Sequence, residues 1–366
     1  MAKYFIIAGE ASGDTHGAEL IKQLLLRDPR ASVAGLGGDR MAAAGCTLYQ
    51  HYRHMAFMAF AAVLSHWKQI RRNFQIAREA LLTEHPDALI LIDYPSFNLR
   101  MASFCRKHLP KTKIYYYIPP KVWAWKRRRI HRIARLCDRI LGIFPFEPEF
   151  YARYGYQCTY VGNPTVEEIT ARSETETFGR TANVIALLPG SRKSEVMNCL
   201  PVMLEAARRI EGFHIVVTAA PGLEDKIYTP FLQPGETLTR DTHAAIQKAQ
   251  MAVVNSGTAT LETALLGCPQ VAVYYLACSS FLRMVRWAQP LFFSIRHFTL
   301  VNILAGKEVI RELLADDFTA AKIEAELRRL MDANVRQKML DGYAEIRTIL
   351  GTSAASETAA QIIYEG

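Results

Sequence analysis

A carboxylate stands directly after the apolar run Ala88–Ile92, in the segment Asp93-Tyr94-Pro95-Ser96-Phe97-Asn98. An acid at the end of a buried strand is placed to take a proton from a hydroxyl, the work of a general base. The same acid beside a helix start serves equally well as its N-cap. Two further acid–base candidates, Asp14 and His16, lie in Gly9-Glu10-Ala11-Ser12-Gly13-Asp14-Thr15-His16-Gly17, which follows the run Tyr4–Ala8. This loop has neither the G-x-G-x-x-G spacing of a dinucleotide site nor the Gly-Lys-Ser/Thr of a P-loop. Its glycines permit close approach of a ligand to the backbone, or simply the packing of a helix on a sheet with Asp14 as a cap.

Anion-accepting chemistry is concentrated in the second half. Leu188-Pro189-Gly190-Ser191-Arg192-Lys193-Ser194-Glu195 reads as a strand-to-helix turn whose amides favour a phosphate, with Arg192 able to add a bidentate contact. Asn255-Ser256-Gly257-Thr258-Ala259-Thr260-Leu261-Glu262 repeats the pattern and adds a carboxylate one turn into the helix. Either loop alone is an ordinary capped helix start. Two on one sheet edge suggest a diphosphate and a ribose.

Two other segments combine aromatic and basic residues. Trp123 and Trp125 precede Lys126-Arg127-Arg128-Arg129-Ile130-His131-Arg132, a pattern that stacks bases and grips phosphates or, more plainly, forms a helix with a solvated cationic face. The ten-residue apolar run Met55–Leu64 contains Met58 and Phe60 and is followed by Trp67, Lys68, Arg71 and Arg72. It reads as an interfacial, acyl-binding element or as a buried helix. Phe281–Trp287 and Leu291–Phe293 repeat the theme.

The elements that must hold these loops alternate in strand–helix order. Strands are expected at Tyr4–Ala8, Ser32–Leu36, Ala88–Ile92, Ile114–Ile118, Ile140–Ile143 and Thr159–Val161, then again at Val184–Leu188, His214–Thr218, Met251–Val254 and Gln270–Tyr274. Helices are expected between them, and at Thr319–Met331 and Val335–Leu350. The fold class is α/β: two Rossmann-like, doubly wound parallel-sheet domains facing each other across a cleft. The expected boundaries are residues 1–163, a linker at 164–182, a second domain at 183–340 and a closing helical segment at 341–366. At 366 residues the chain is long enough for two cores.

Composition narrows the class. The seven cysteines are scattered and form no Cys-x-x-Cys pair, so they read as reduced residues of a cytoplasmic protein. Met1 leads straight into a short apolar run, too brief for a secretory signal. Ten consecutive apolar residues fall short of the roughly 20 that a membrane-spanning helix needs. A formal charge of +9 favours anionic partners, whether phosphorylated small molecules, nucleic acid or an acidic lipid surface.

Taken in order, Gly9–Asp14, Asp93–Asn98, Val122–Trp125, Phe144-Pro145-Phe146-Glu147, Gly162-Asn163-Pro164, Leu188–Arg192, Ser256–Glu262 and Asn302-Ile303-Leu304-Ala305-Gly306 resemble the lipid-A-disaccharide synthase family nearly end to end. The resemblance implies a GT-B glycosyltransferase. Such an enzyme joins UDP-2,3-diacylglucosamine to 2,3-diacylglucosamine 1-phosphate (lipid X), giving the β-1,6-linked lipid A disaccharide 1-phosphate and UDP. It further implies inversion at the anomeric carbon, Asp93 as base, a homodimer, and a peripheral position on the inner face of the inner membrane. UDP would be held by Ser191, Arg192, Ser256, Gly257, Thr258 and Glu262, with Gly190, Thr260 and Asn302 as further donor contacts. The acceptor would meet Ser12, Gly13, Asn98, Trp123, Trp125, Arg129, Met58 and Phe60. Relatives commonly carry a glutamate where this chain has Ala62.

No Asp-x-Asp occurs, so catalysis is expected without a bound metal or other cofactor. Three rivals remain at this stage. A UDP-N-acetylglucosamine 2-epimerase would share the architecture but need no acyl pocket. A nucleic-acid-binding protein would use Trp123, Trp125 and the basic run, although no recognisable nucleic-acid motif accompanies them and no nucleic-acid partner is expected. A lipid-binding module would bind membranes without turnover.

Overall fold

The computed structural model describes residues 1–55, 67–124, 126–173, 183–255, 257–275 and 297–366. The candidates Met58, Phe60, Trp125 and Ser256 lie outside the described residues, as do Ala62 and the apolar segments at 281–287 and 291–293.

The chain divides into two compact units, residues 1–167 with 352–366, and residues 168–351. The first contains β1 (Lys3–Ala8), α1 (Ala11–Arg27), β2 (Ser32–Gly37), α2 (Asp39–Ala43), β3 (Thr47–His51), α3 (Trp67–Glu84) and β4 (Ala88–Ile92). It continues with α4 (Pro95–His108), β5 (Lys113–Tyr117), α5 (Arg129–Leu136), β6 (Arg139–Gly142), α6 (Glu147–Ala152) and β7 (Thr159–Tyr160). Helix α7 (Pro164–Ser173) carries the chain across the boundary, where the sequence suggested a linker.

The second unit holds β8 (Val184–Leu188), α8 (Lys193–Arg208), β9 (His214–Thr218), β10 (Thr237–Thr239), α9 (Thr242–Lys248), β11 (Met251–Asn255) and α10 (Thr258–Leu265). After these come β12 (Gln270–Tyr274), α11 (Leu300–Ala305), β13 (Arg311–Leu314), α12 (Ala320–Arg329) and α13 (Ala333–Leu350). The expected boundary at 340 falls inside α13. The final helix, α14 (Ala355–Glu365), belongs to the first unit and packs on α1.

Both sheets are parallel throughout. Their orders are β3-β2-β1-β4-β5-β6-β7 and β10-β9-β8-β11-β12-β13, so strand order reverses beside β1 in one sheet and beside β8 in the other. Open α/β sheets bind ligands at the carboxyl ends of the strands flanking that reversal. These are β1 and β4 in the first unit, and β8 and β11 in the second, which carry the four loops singled out above.

The central strands read as continuous apolar runs because helices cover both faces. In β1, Tyr4, Ile6 and Ala8 enter one core with Leu20, Ile21 and Leu24 of α1 and Ala359, Ala360 and Ile363 of α14. Phe5 and Ile7 point to the opposite core, with Phe74, Ala77 and Leu81 of α3 and Phe97, Met101 and Cys105 of α4. At the crossing back to this unit, Gly162 has φ +102°, and a Cβ there would lie 2.5 Å from the carbonyl oxygen of Ser353. Ser356 then donates its amide to Glu167 at 2.9 Å, and its hydroxyl donates to the same carboxylate.

Candidate functional site

In the first unit, β4 ends in a turn where Asp93 (φ 43°) and Tyr94 (φ 45°) are both left-handed, and Ile118 (φ 58°) ends β5 the same way. Consecutive non-glycine residues in that region are costly and persist where the surroundings over-determine them. The surroundings here are specific. The Asp93 carbonyl accepts from Asn98 Nδ2 at 2.7 Å and from the Tyr116 hydroxyl at 2.8 Å. The Tyr94 hydroxyl donates to the Met55 carbonyl at 2.7 Å, and its ring lies where a Cβ on Gly9 would stand. Helix α4 begins without a side-chain cap, so the capping alternative for Asp93 fails.

A cavity of about 300 Å³ opens at this turn, lined by Asp93, Pro95, Ile118–Val122, Arg129, Ile143 and Phe144. Desolvation raises the Asp93 carboxyl above the ordinary range, against the opposing pull of Lys121 and the Tyr94 amide. Lys121 is lowered, first by desolvation, against the raising effects of Asp93 and Glu147. The cavity thus joins a proton-accepting carboxylate to two cations. Arg129, one of the acceptor candidates, lies in this lining; Lys121 was not singled out from the sequence.

Several other candidates have structural work instead. Asp14 is buried, and its carboxylate accepts from the amides of Gly38 (2.7 Å), Arg40 (3.1 Å) and Met41 (3.0 Å), closing the start of α2. It is not available as a base. Asn98 is fully buried, its amide donating to the carbonyls of Ile92 and Asp93, so it holds the Asp93 turn rather than an acceptor. Gly13 faces Ala8 and Ile92 in the packing of α1 on the sheet, while Ser12 is exposed at the helix start. Trp123 is buried edge-on against Phe144 and Phe146, and its indole N–H donates to Glu147 at 3.2 Å. A ring enclosed in this way cannot stack on a base.

His16 is partly buried in α1; burial first, then the Arg40 guanidinium, pull it down to about 4, so the imidazole is neutral at pH 7. Glu147 is buried and accepts from the amides of Ile143 (2.8 Å) and Phe144 (3.0 Å) as well as from Trp123. Burial nonetheless pushes its carboxyl up to about 7.

The linkage signs of these two groups oppose. Between pH 6.5 and 4 the unfolded chain takes up a proton at His16 that the folded chain refuses, which removes stability on acidification. Between pH 7 and 4.5 folded Glu147 takes up a proton that the unfolded chain does not, which adds stability. Glu147→Gln removes one of the groups that oppose His16, the raised Asp93 carboxyl remaining. Its stability is expected to fall more steeply than the parent's from pH 6.5 to 5, by up to about 1.4 kcal/mol per pH unit. Thermal unfolding across that range checks this, and parallel curves for the two proteins would refute it.

In the second unit, β8 and β11 pair directly through Leu188 and Val254, so the loops that follow them are neighbours. Gly190 (φ +117°) allows this approach: a Cβ there would lie 2.6 Å from Asn255 Nδ2 and 2.5 Å from Glu195 Oε2. Glu195 is a resident anion. Its Oε2 accepts from the amides of Ser191 (2.9 Å) and Arg192 (3.2 Å), and its Oε1 meets Arg192 Nη1 at 3.1 Å. The start of α8 is therefore occupied by the chain's own carboxylate, correcting the expectation that its amides hold a phosphate.

Helix α10 differs. It begins at exposed Gly257 and Thr258, and no side chain among the described residues caps it. Thr260 is fully buried, with its hydroxyl donating to the Gly257 carbonyl at 2.9 Å, and is not a ligand contact. Glu262 is fixed by His243 of α9, whose Nε2 lies 2.8 Å from Glu262 Oε1. Nothing in the sequence pattern joins these two residues.

Asn302 is fully buried and internally satisfied. Its Oδ1 accepts from the amides of Val309 and Ile310, and its Nδ2 donates to the Ile310 carbonyl and to Glu312. It therefore ties α11 to β13 instead of reaching a donor.

The whole-chain comparisons fit this architecture. The solved glycosyltransferase of kitacinnamycin covers 100% of this chain and 98% of its own at TM-score 0.65 and 14% identity. A putative UDP-N-acetylglucosamine 2-epimerase from Listeria monocytogenes does so at TM-score 0.65 and 12% identity, over 97% of its own length. At such identities the likeness shows the GT-B fold alone and does not separate transferase from epimerase. Sequence does separate them. The family model described as lipid-A-disaccharide synthetase matches residues 4–363. The lipid-A-disaccharide synthase of Geobacter metallireducens is 36% identical over 381 aligned positions, covering 99% of this chain and 97% of that protein. The chain belongs to the lipid-A-disaccharide synthase family of glycosyltransferases.

Proposed function

We propose that the chain condenses UDP-2,3-diacylglucosamine with 2,3-diacylglucosamine 1-phosphate, with inversion, to give the β-1,6-linked lipid A disaccharide 1-phosphate and UDP. The observation that carries this reading is the Asp93 carboxylate, which burial raises above the ordinary range, in a cavity at the sheet's switch point that also holds Lys121 and Arg129. Asp93 accepts the proton of the acceptor's 6-hydroxyl as that oxygen bonds to the donor's anomeric carbon. The bond from that carbon to the diphosphate breaks, and the electron pair leaves with UDP.

The uncapped start of α10 and the Arg192 guanidinium receive the diphosphate charge, as fixed dipoles and cations do for a departing anion. Glu262, held by His243, takes a ribose hydroxyl. Among the described residues no helix is long and apolar enough to cross a membrane. With a formal charge of +9, the enzyme works from the anionic inner leaflet, as a homodimer and without a divalent metal.

The reading is tested by incubating purified protein with both acylated substrates in detergent, with and without EDTA, and weighing the products by mass spectrometry. Disaccharide phosphate and UDP in both arms are expected. Conversion of unacylated UDP-N-acetylglucosamine to its epimer, with no disaccharide, would overturn it in favour of an epimerase. For Arg192→Ala, the dissociation constant for UDP is expected to rise about tenfold or more by calorimetry, the effect of losing one charge-assisted contact. An unaltered constant would remove Arg192 from the diphosphate site.

A further inference from the structure

Much of the lining of the first-unit cavity comes from two loops, Ile118–Val122 after β5 and Ile143–Phe144 after β6. One enclosed carboxylate ties them together. Glu147, the first residue of α6, is 1% exposed. Its Oε2 accepts from the amides of Ile143 (2.8 Å) and Phe144 (3.0 Å). Its Oε1 accepts at 3.2 Å from the indole N–H of Trp123, the neighbour of Val122 in the other loop. Gly142 leaves room for this arrangement, since a Cβ there would lie 2.8 Å from Glu147 Oε2. The same loops also meet edge-on through Trp123 and Phe144, with ring centroids 5.9 Å apart. Asn163 Nδ2 holds the Ile143 carbonyl at 3.0 Å.

We propose that Glu147 is a positioning residue for the acceptor: through Trp123 and the amides of Ile143 and Phe144, its carboxylate sets the spacing of the two loops that hold the acceptor sugar beside Asp93. This rests on the acceptor binding in that cavity. Ionised Glu147 accepts from all three N–H groups. The neutral acid must carry a proton on one oxygen, and with two amides already on Oε2 the proton falls to Oε1, where it opposes the indole N–H. The tie to the Trp123 loop is then lost. Burial pushes this carboxyl up to about 7, so both forms are populated near neutrality. The groups that face it are Lys121 from the corner after β5, Tyr151 from α6, Cys158 and, from β7, Tyr160. Burial raises the two tyrosines and the thiol, which stay neutral at pH 7. Lys121, exposed at its corner, is the cation among them and also faces Asp93.

The test measures acceptor KM for the parent, Glu147→Gln and Trp123→Phe between pH 6 and 8, with saturating donor and 2,3-diacylglucosamine 1-phosphate as acceptor. Dividing each variant's KM by the parent's removes the titration of the acceptor's own phosphate, which falls at about pH 6. UDP affinity and melting temperature serve as folding controls. Glu147→Gln fixes the loosened state at every pH, because its amide nitrogen only donates. Its KM ratio is expected to be about tenfold at pH 8, the loss of one hydrogen bond to a charged group, and to shrink to about twofold at pH 6, where the parent is itself largely protonated. Trp123→Phe removes the same bond from its other end and should follow the same course.

A ratio that stays flat across the range, grows towards pH 6 as the variant loses stability, or equals one at pH 8 would overturn the inference. Should the parent form no disaccharide, the transferase reading fails, and the ratio is taken instead from dissociation constants for 2,3-diacylglucosamine 1-phosphate by calorimetry. The same pH dependence there would uphold the role of Glu147 without that reading. Absence of any binding of this acceptor to the parent would overturn both.

Discussion

Replacing Asp93 by Asn is expected to lower kcat about 10²- to 10⁴-fold, the usual contribution of a positioned general base. UDP affinity should stay within about twofold, since the proposed diphosphate contacts are made by other residues, Arg192 and the start of α10. The substitution keeps the shape of the side chain and leaves the bonds from Asn98 and Tyr116 intact, because these go to the backbone carbonyl. The loss therefore reports on the proton and not on the turn. The parent's kcat should also fall as pH drops through the Asp93 pKa, which burial places above the ordinary carboxylate range. Single-turnover kinetics with saturating donor would read both effects. Turnover within about tenfold of the parent would remove Asp93 from the role of base.

Asp14→Ala is expected to destabilise the first unit by about 3–5 kcal/mol, leaving three amide donors at the start of α2 without their carboxylate acceptor. For a unit of this size that corresponds to a fall in melting temperature of roughly 10 °C. Asp14→Asn should lose less, because one side-chain oxygen remains to accept. Differential scanning fluorimetry distinguishes the structural role from the catalytic one that spacing in the glycine-rich loop suggests. A variant that melts like the parent but has lost turnover would reverse the assignment.

The contrast between Asp93 and Asp14 shows where sequence reasoning holds and where it stops. The apolar runs before both residues are legible because parallel strands covered on two faces cannot carry polar side chains. Their order places Asp93, Arg192 and the start of α10 just after the carboxyl ends of β4, β8 and β11, strands beside the reversals of strand order. Less apolar strands escape this reading. Thr47–His51, Thr237–Thr239 and Arg311–Leu314 each end a sheet or lie beside its end, and mix polar residues into the run.

Hydrogen-bond partners at long range escape it too. Asn302 and Thr260 look like ligand contacts because they are polar and near loops, yet Asn302 is spent on Ile310 and Glu312, and Thr260 on Gly257. Glu195 was within reach of local reasoning. A glutamate at the third helical position, after a turn with free amides, is the reciprocal half of a capping box. His243 was not, because its bond to Glu262 joins two helices through the fold alone.

Helix α14 has a consequence for the order in which the enzyme is made. It follows the second unit in the sequence, and it supplies Ala359, Ala360 and Ile363 to a core whose other buried members lie between Tyr4 and Val161. The second unit, continuous in sequence, can complete itself while its predecessor still waits on the ribosome with Leu20, Ile21 and Leu24 incompletely sealed. A nascent chain stopped at Gly351 would thus carry a finished second unit and an unsealed apolar strip in the first, a target for chaperones and proteases. Truncating the tail is expected to damage the half of the molecule that was synthesised first.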